Sequence, residues 1–311
     1  MNVSRKKWLS LLYALPALLA LALFLYAPAR YAACVREGVS LWAVSVLPSV
    51  FPFLFLTAIL SDMRVFRAFS RRISPFFERV FNISGTGGGI LLLSVLSGYP
   101  VGARTVADCS ARGALAKEEL FRLSCLCSTT GPVFLAGVVG GAMFSDPRLG
   151  WLMLLCHLCA VLGVGLVLRI RTPRIRVQTP PPAAQNGKGI FDVVYGAIVS
   201  VLCVGGSIAL FACFSQMSVD LLHLDPNGLP AALVRGLMEM TTGCSLLSAE
   251  VTPLSLSLCC FFVTFGGMCV LMQQLTYLAP LGVNSLKFIL VKLIQGVLAA
   301  ALCYLIALFL L

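Results

Sequence analysis

Gly87-Gly-Gly-Ile-Leu-Leu-Leu-Ser-Val-Leu-Ser-Gly-Tyr-Pro-Val-Gly-Ala-Arg104 starts as a helix suited to lipid and stops being one part-way through. Ile90 to Leu96 supply the apolar face. Then Gly98 and Pro100 interrupt it, because proline removes a backbone donor and clashes with the preceding turn. In hydrocarbon a broken helix is tolerated only where protein or a water-lined cavity satisfies the freed backbone groups. Its flanks carry cytoplasmic-type basic residues, so the segment reads as a re-entrant hairpin that enters and leaves on one side.

The rest of the chain fits that reading. Of 311 residues, 59% are hydrophobic and 11% charged, against roughly 25% charged in ordinary soluble domains. Lipid must be the solvent, and the predicted fold is all-α and polytopic. A run from Trp8 to Tyr26 follows Arg5-Lys6-Lys7 and reads as an uncleaved anchor rather than a signal peptide. Gly38 to Leu60 is a span interrupted by Pro48 and Pro52. Asp62 to Phe81 interleaves Arg64, Arg67, Arg71 and Arg79 with an apolar stripe, an amphipathic helix on the membrane face that bends at Pro75. Asp108 to Arg122 is polar. Leu123 to Phe144 reads as a crossing broken at Cys127-Ser-Thr-Thr-Gly-Pro132, and Gly150 to Leu168 as an unbroken one. Beyond a proline-rich stretch, Ile190 to Met217 spans again. Leu229 to Leu247 is interrupted at Glu239-Met-Thr-Thr-Gly243, Leu254 to Tyr277 at Phe265-Gly-Gly267, and Val291 to Leu311 closes the chain.

A formal charge of +11 could suggest nucleic acid, but the basic residues fall in short loops beside apolar spans, as the positive-inside rule expects. No nucleic-acid partner is expected. The partners are the bilayer, a small solute and a possible second copy of the chain. The 13 cysteines form no disulfide framework. Cys156-His157-Leu158-Cys159 lacks the second ligand pair that a zinc site needs, so no metal and no cofactor is expected. An intramembrane enzyme built on Cys127 would need a base beside it, and neither His157 nor His223 stands near it in a readable motif. No enzymatic activity is expected.

Thr172 to Gly189 divides the chain. The expected organisation is an N-terminal anchor (1–37), a first half (38–171), a cytoplasmic linker (172–189) and a second half (190–311). Ser45-Val46-Leu47 matches Ser200-Val201-Leu202, Gly102 matches Gly243, and Gly131-Pro132 matches Gly266-Gly267. With Arg5 to Lys7 and the Arg169–Arg176 region both inside, the matched spans run in opposite directions. That is an inverted-topology repeat, in which broken helices at corresponding positions mark a transport site.

The same broken segments carry a family resemblance. Leu96-Ser-Gly-Tyr-Pro-Val-Gly-Ala-Arg104, Cys127-Ser-Thr-Thr-Gly-Pro-Val-Phe134, Gly140-Gly-Ala-Met-Phe144, Gly236-Leu-Met-Glu-Met-Thr-Thr-Gly243 and Phe265-Gly-Gly-Met-Cys-Val-Leu-Met-Gln-Gln274 resemble the YlbJ (SpoVV) family of sporulation integral membrane proteins. That family belongs with the nucleoside-recognition, or Gate, membrane domains. The resemblance covers about Leu41 to Leu311. It departs at Ser128, where related sequences more often read Asn-Thr-Ser, and in the long linker. It implies a role in endospore formation: moving dipicolinate, a small aromatic dicarboxylate, across the outer forespore membrane.

A dianion leaving water needs donors: helix N-termini, hydroxyls and one or two cations. The candidates are Ser97, Gly98, Tyr99 and Arg104 at the first break, Ser128, Thr129 and Thr130 at the second, Glu239, Thr241 and Thr242 at the third, and Gln273 and Gln274 after the fourth. Each has a structural reading beside the functional one. Small and hydroxyl residues let membrane helices approach closely. Arg104 can end a helix by snorkelling, and Arg235 and Glu239 can neutralise each other four residues apart. Two alternatives to dipicolinate transport remain: a nucleoside or nucleobase permease, and a membrane scaffold for a partner.

Overall fold

A computed structural model describes residues 3–62, 64–170 and 190–311. The expected linker lies outside these, as do the side chains of Arg5, Lys6, Lys7 and Arg64. The described residues are helical almost throughout, without strands. Among the described residues, five helices are long and apolar enough to cross a membrane: 28–60, 147–170, 191–221, 253–281 and 285–310. The protein is a polytopic helical membrane protein.

The first half runs α1 (Val3–Tyr26), α2 (Pro28–Leu41), a π-helical turn (Trp42–Val46) and α3 (Leu47–Asp62). α2, the turn and α3 form one long element, so the second span begins at Pro28 rather than near Gly38. Pro28 occupies the first helical turn, where its missing N–H has no partner to lose. α4 (Arg64–Phe81) contains Pro75 without ending there. It buries Phe66, Ser70, Phe77 and Phe81 and exposes Arg71, Arg72 and Arg79, as an interfacial helix should. α5 (Gly85–Ser97) turns away from it by 88°. The glycine run explains itself here: side chains at Gly88 and Gly89 would run into the rings of Phe77 and Phe66.

α6 (Val101–Ala111) and α7 (Lys117–Leu126) follow. α7 fastens the bend between α4 and α5. Glu119 is fully buried and accepts from Ser84 N at 2.6 Å and Ala116 N at 2.9 Å, while Arg122 donates to Asn82 O. Glu119→Ala strands two buried N–H groups, a loss on the order of 2–4 kcal/mol. Its thermal midpoint in detergent is expected to fall well below that of a Glu118→Ala control, whose side chain is exposed.

Leu123 to Phe144 is not one crossing. α7 stops at Leu126, residues 127–131 are non-helical, and a π-helical segment (Val133–Met143) leads to α8 (Pro147–Ile170). Gly131-Pro132 is the cause, since proline cannot donate to the turn before it. The second half repeats the order. α9 (Ile190–Leu221) is followed by two broken pairs, α10 (Leu229–Met238) with α11 (Met240–Leu247), and α12 (Pro253–Phe265) with α13 (Gly267–Leu278); α14 (Ser285–Leu310) closes the chain.

Corresponding elements pack on one another in opposite directions. Along α2–α3, Arg30 and Tyr31 bind Asp220, Gly38 meets Ala209 and Ala212, Trp42 covers Gly205, and Val46 to Leu54 pack with Val201 and Ala197. Numbers rise on one element as they fall on the other, so α2–α3 and α9 are antiparallel. α8 and α14 behave alike: Cys156 clusters with Cys303, while Gly165, later on α8, and Gln295, earlier on α14, both meet the end of α7. Cross-contacts match too, α6 with α13 as the π-helical segment with α11, and α7 with α14 as α12 with α8. These pairings are those of a pseudo-two-fold axis.

Candidate functional site

Four helix breaks meet in the interior. Gly98 and Gly131 touch back to back: a Cβ on Gly98 would fall 2.6 Å from Gly131 N. Tyr99 reaches the fourth break, its hydroxyl 2.9 Å from Val263 O and 3.1 Å from Thr264 O. A Cβ on Gly267 would meet the carbonyls of Gly236 and Met238 at 3.1 and 3.2 Å, beside the third break. Gly266 itself turns the chain with φ +94°, a conformation natural only to glycine.

The breaks enclose a cavity of about 40 Å³, room for a few waters. Its polar wall is Ser97, Gly98, Tyr99, Thr130, Glu239, Thr241 and Gln273, and its apolar wall includes Val46, Val50, Phe134, Val204, Ile208 and Val270. Both halves contribute. Of the candidates, those seven line the cavity; Arg104, Ser128, Thr129, Thr242 and Gln274 do not.

Arg104 Nη1 donates to Ser200 Oγ at 2.8 Å, and its Nε lies 3.8 Å from Asp108, so its charge is directed to α9 and its own helix. Thr129 Oγ1 donates to Ser94 O at 2.9 Å, tying the second break to α5. Thr242 supports Glu239 from behind the wall, and Gln274 Nε2 is buried without a partner among the described residues.

Glu239 is the charged residue of the cavity wall. It stands in extended conformation between α10 and α11, and its carboxylate accepts from Thr241 N at 3.1 Å, Thr242 N at 2.8 Å and Thr242 Oγ1 at 2.8 Å. It therefore caps α11. The expected pairing with Arg235 is not made. α10 ends at Met238, so the two side chains no longer share a helical face, and Arg235 donates to Gln216 Oε1 at 2.7 Å instead.

Two basic residues behind the wall escaped the sequence reading of the site. His157 is fully buried on α8. Its Nε2 accepts from Thr130 N at 3.2 Å, and Nδ1 is 3.0 Å from Thr264 Oγ1. A backbone N–H can only donate, so Nε2 carries no proton and Nδ1 donates to Thr264. The imidazole is held neutral between the second and fourth breaks. Lys292 is fully buried on α14, with Nζ 2.8 Å from Ser128 O, 3.4 Å from the Tyr99 hydroxyl and 5.3 Å from the Tyr99 ring centre. The signal was present: a lysine inside an apolar membrane run is costly unless it faces the interior.

No family model matches the chain, and no solved structure matches it significantly. The sporulation integral membrane protein YlbJ of Bacillus subtilis (strain 168) is 27% identical over 305 residues, covering 85% of this chain and 74% of that protein. The aligned stretch spans most of both proteins, and the similarity supports placing this chain in the YlbJ family of sporulation integral membrane proteins.

Proposed function

We propose that this protein is a transporter of sporulation that moves a small anionic solute, dipicolinate first among the candidates, through the cavity where its four broken helices meet. The observation that carries this reading is the convergence of interrupted helices from two antiparallel, matching halves on one partly polar cavity. Free backbone groups at such breaks replace the water a solute loses. A scaffold has no use for them. The cavity is too small for a drug-sized ligand, whose pockets run to roughly 300–1,000 Å³, so this is a closed conformation that opens to load. The Glu239 charge is met by three donors, and the Lys292 ammonium stands directly behind Tyr99. The matching halves of 38–171 and 190–311 are the moving parts, with the N-terminus on the cytoplasmic side and the outer forespore membrane as the location.

The test is dipicolinate flux into proteoliposomes holding the purified full chain, paired with dipicolinate content in spores of a deletion strain complemented with variants. Thr130→Val keeps shape and removes a cavity hydroxyl; flux is expected to fall roughly tenfold, the worth of one hydrogen bond to a charged group. Thr129→Val removes a tie to Ser94 instead and is expected to lower the thermal midpoint with a smaller effect on solute affinity. Dipicolinate flux no greater than in empty liposomes overturns the reading.

A second reading has an observation of its own. Glu239 and Gln273 both line the cavity while Arg104 does not, a pattern suited to a neutral nucleoside-like solute. Competition of dipicolinate against a nucleoside in the same liposomes separates the two.

A further inference from the structure

Three polar side chains meet about one helical turn from the cavity, each on a different element. Ser200 stands a turn before the cavity residue Val204 on α9, Tyr277 a turn after Gln273 on α13, and Arg104 a turn past the first break on α6. Arg104 Nη1 donates to Ser200 Oγ at 2.8 Å, and the Tyr277 hydroxyl lies 3.2 Å from the same oxygen. A serine hydroxyl has one proton to give, and Ser200 gives it to Gly196 O at 2.9 Å. Tyr277 is therefore a donor here. A guanidinium N–H and a phenol O–H converge on one neutral oxygen.

That arrangement suits an anion better than it suits serine. Two donors aimed at one point, one of them cationic, are what a carboxylate oxygen needs when it leaves water. The guanidinium is also placed to use its fork. Nε is 3.8 Å from Asp108, which leaves both Nη groups facing α9. A Cβ at Gly196 would fall 2.5 Å from Nη2, so the fork rests against bare backbone. Burial ends close by: the Arg104 side chain is 13% exposed and that of Asp108, a turn further out, 36%. The other end of the cavity is fastened differently. There Arg235 donates to Gln216, Gln216 donates to Asp220, and Arg30 and Tyr31 donate to the same carboxylate. An acid already holds that end.

We propose that Arg104 and Tyr277 form an anion-receiving post at this mouth of the cavity, and that Ser200 holds the anion's place while the mouth is shut. A carboxylate oxygen replaces Ser200 Oγ as the shared acceptor, α6 and α13 part from α9, and the solute passes to the cavity wall one turn deeper. The exchange breaks no covalent bond and moves no proton. A neutral solute gains little from a guanidinium, so the post selects for negative charge before the cavity is reached. Its geometry stands alone; its use rests on the transport reading above.

The test is equilibrium binding of dipicolinate to the full chain in lipid nanodiscs, with the thermal midpoint of each variant measured alongside. Ser200→Ala removes the stand-in acceptor and leaves two donors unmet. Its Kd is expected to fall about fivefold, the size of one neutral hydrogen bond that no longer holds the mouth shut. Arg104→Gln keeps a donor for Ser200 but loses the charge, and its Kd is expected to rise about tenfold or more. Opposite shifts mark a receiving post, because a purely structural cluster would give lower midpoints in both variants and tighter binding in neither. Ser200→Ala that binds no tighter than the wild type overturns the proposal, and so does Arg104→Gln that binds as tightly. Wild type that does not bind dipicolinate overturns it as well. Should either variant fail to fold, Tyr277→Phe removes one donor alone; its Kd should rise about fivefold, and an unchanged Kd sinks the post. Flux into proteoliposomes separates this proposal from the reading beneath it. Opposite Kd shifts without dipicolinate flux remove the transport of that solute and leave the post. Flux in the wild type with Kd values that ignore the substitutions removes the post and leaves the transport.

Discussion

Gly98→Val is expected to leave almost no folded protein in the membrane. Gly98 has φ +78° and ψ −166°, a region open to glycine alone, where another residue costs on the order of 1–3 kcal/mol. Space is the second obstacle: a Cβ there lies 2.6 Å from Gly131 N, a backbone atom of the neighbouring break that no side-chain rotation can move. The two costs act together, because relieving the dihedral strain means pushing Gly131 and Thr130 out of the cavity wall. Membrane level and thermal midpoint are the measurements. Gly163→Val is the control, since a Cβ at Gly163 meets nothing within 4 Å, and it should accumulate as the wild type does. Wild-type levels and stability of Gly98→Val would mean that the first two breaks do not touch as described.

Glu239→Ala should be nearly as severe, and its comparison with Glu239→Gln identifies the solute class. Alanine removes the acceptor for two backbone N–H groups and the Thr242 hydroxyl. Two of those donors are at the start of α11 in the interior, and stranding them costs on the order of 1–3 kcal/mol each. The third break loosens and flux is lost with it. Glutamine keeps one carbonyl oxygen as acceptor, so α11 retains part of its cap while the charge disappears. If the solute is anionic, a carboxylate in the wall contributes only structure, and Glu239→Gln keeps most of the flux in proteoliposomes. If the solute is a neutral nucleoside-like molecule that donates to Glu239, glutamine loses it as alanine does.

The sequence reading located the breaks because they are written locally. Gly98, Pro100, Gly131-Pro132 and Gly266 are residues whose backbone chemistry forbids a plain helix wherever they occur, and the structure breaks at each of them. Glu239 belongs with this group, as a carboxylate two and three residues before the N–H groups of Thr241 and Thr242. Direction was legible as well, since the basic clusters oriented the matched spans and the antiparallel contacts of α2–α3 with α9 agree. Facing was not. Arg104 stands one turn beyond the first break, and nothing in its neighbours says that it turns towards Ser200 on α9 rather than into the cavity. Thr129 and Thr130 are adjacent and chemically alike, yet one binds Ser94 and the other lines the wall. Lys292 and His157 were the largest omissions. Each stands in an apolar run, and what makes it notable is total burial against breaks more than a hundred positions away in the case of Lys292 and on two different elements in the case of His157. Burial of that kind is a property of packing, not of composition.

The pseudo-two-fold axis has a consequence for how the molecule tells one side of the membrane from the other. α8 and α14 occupy related places and both lean on the central breaks, but one presents an imidazole fixed as a neutral ring and the other an ammonium. Two identical chains joined about the same axis would be obliged to present the same base twice, and the site between them would look alike from either end. Fusing the halves into one polypeptide lifts that obligation. The interior gains a head and a tail, and a solute passing through meets its contacts in an order that depends on where it came from.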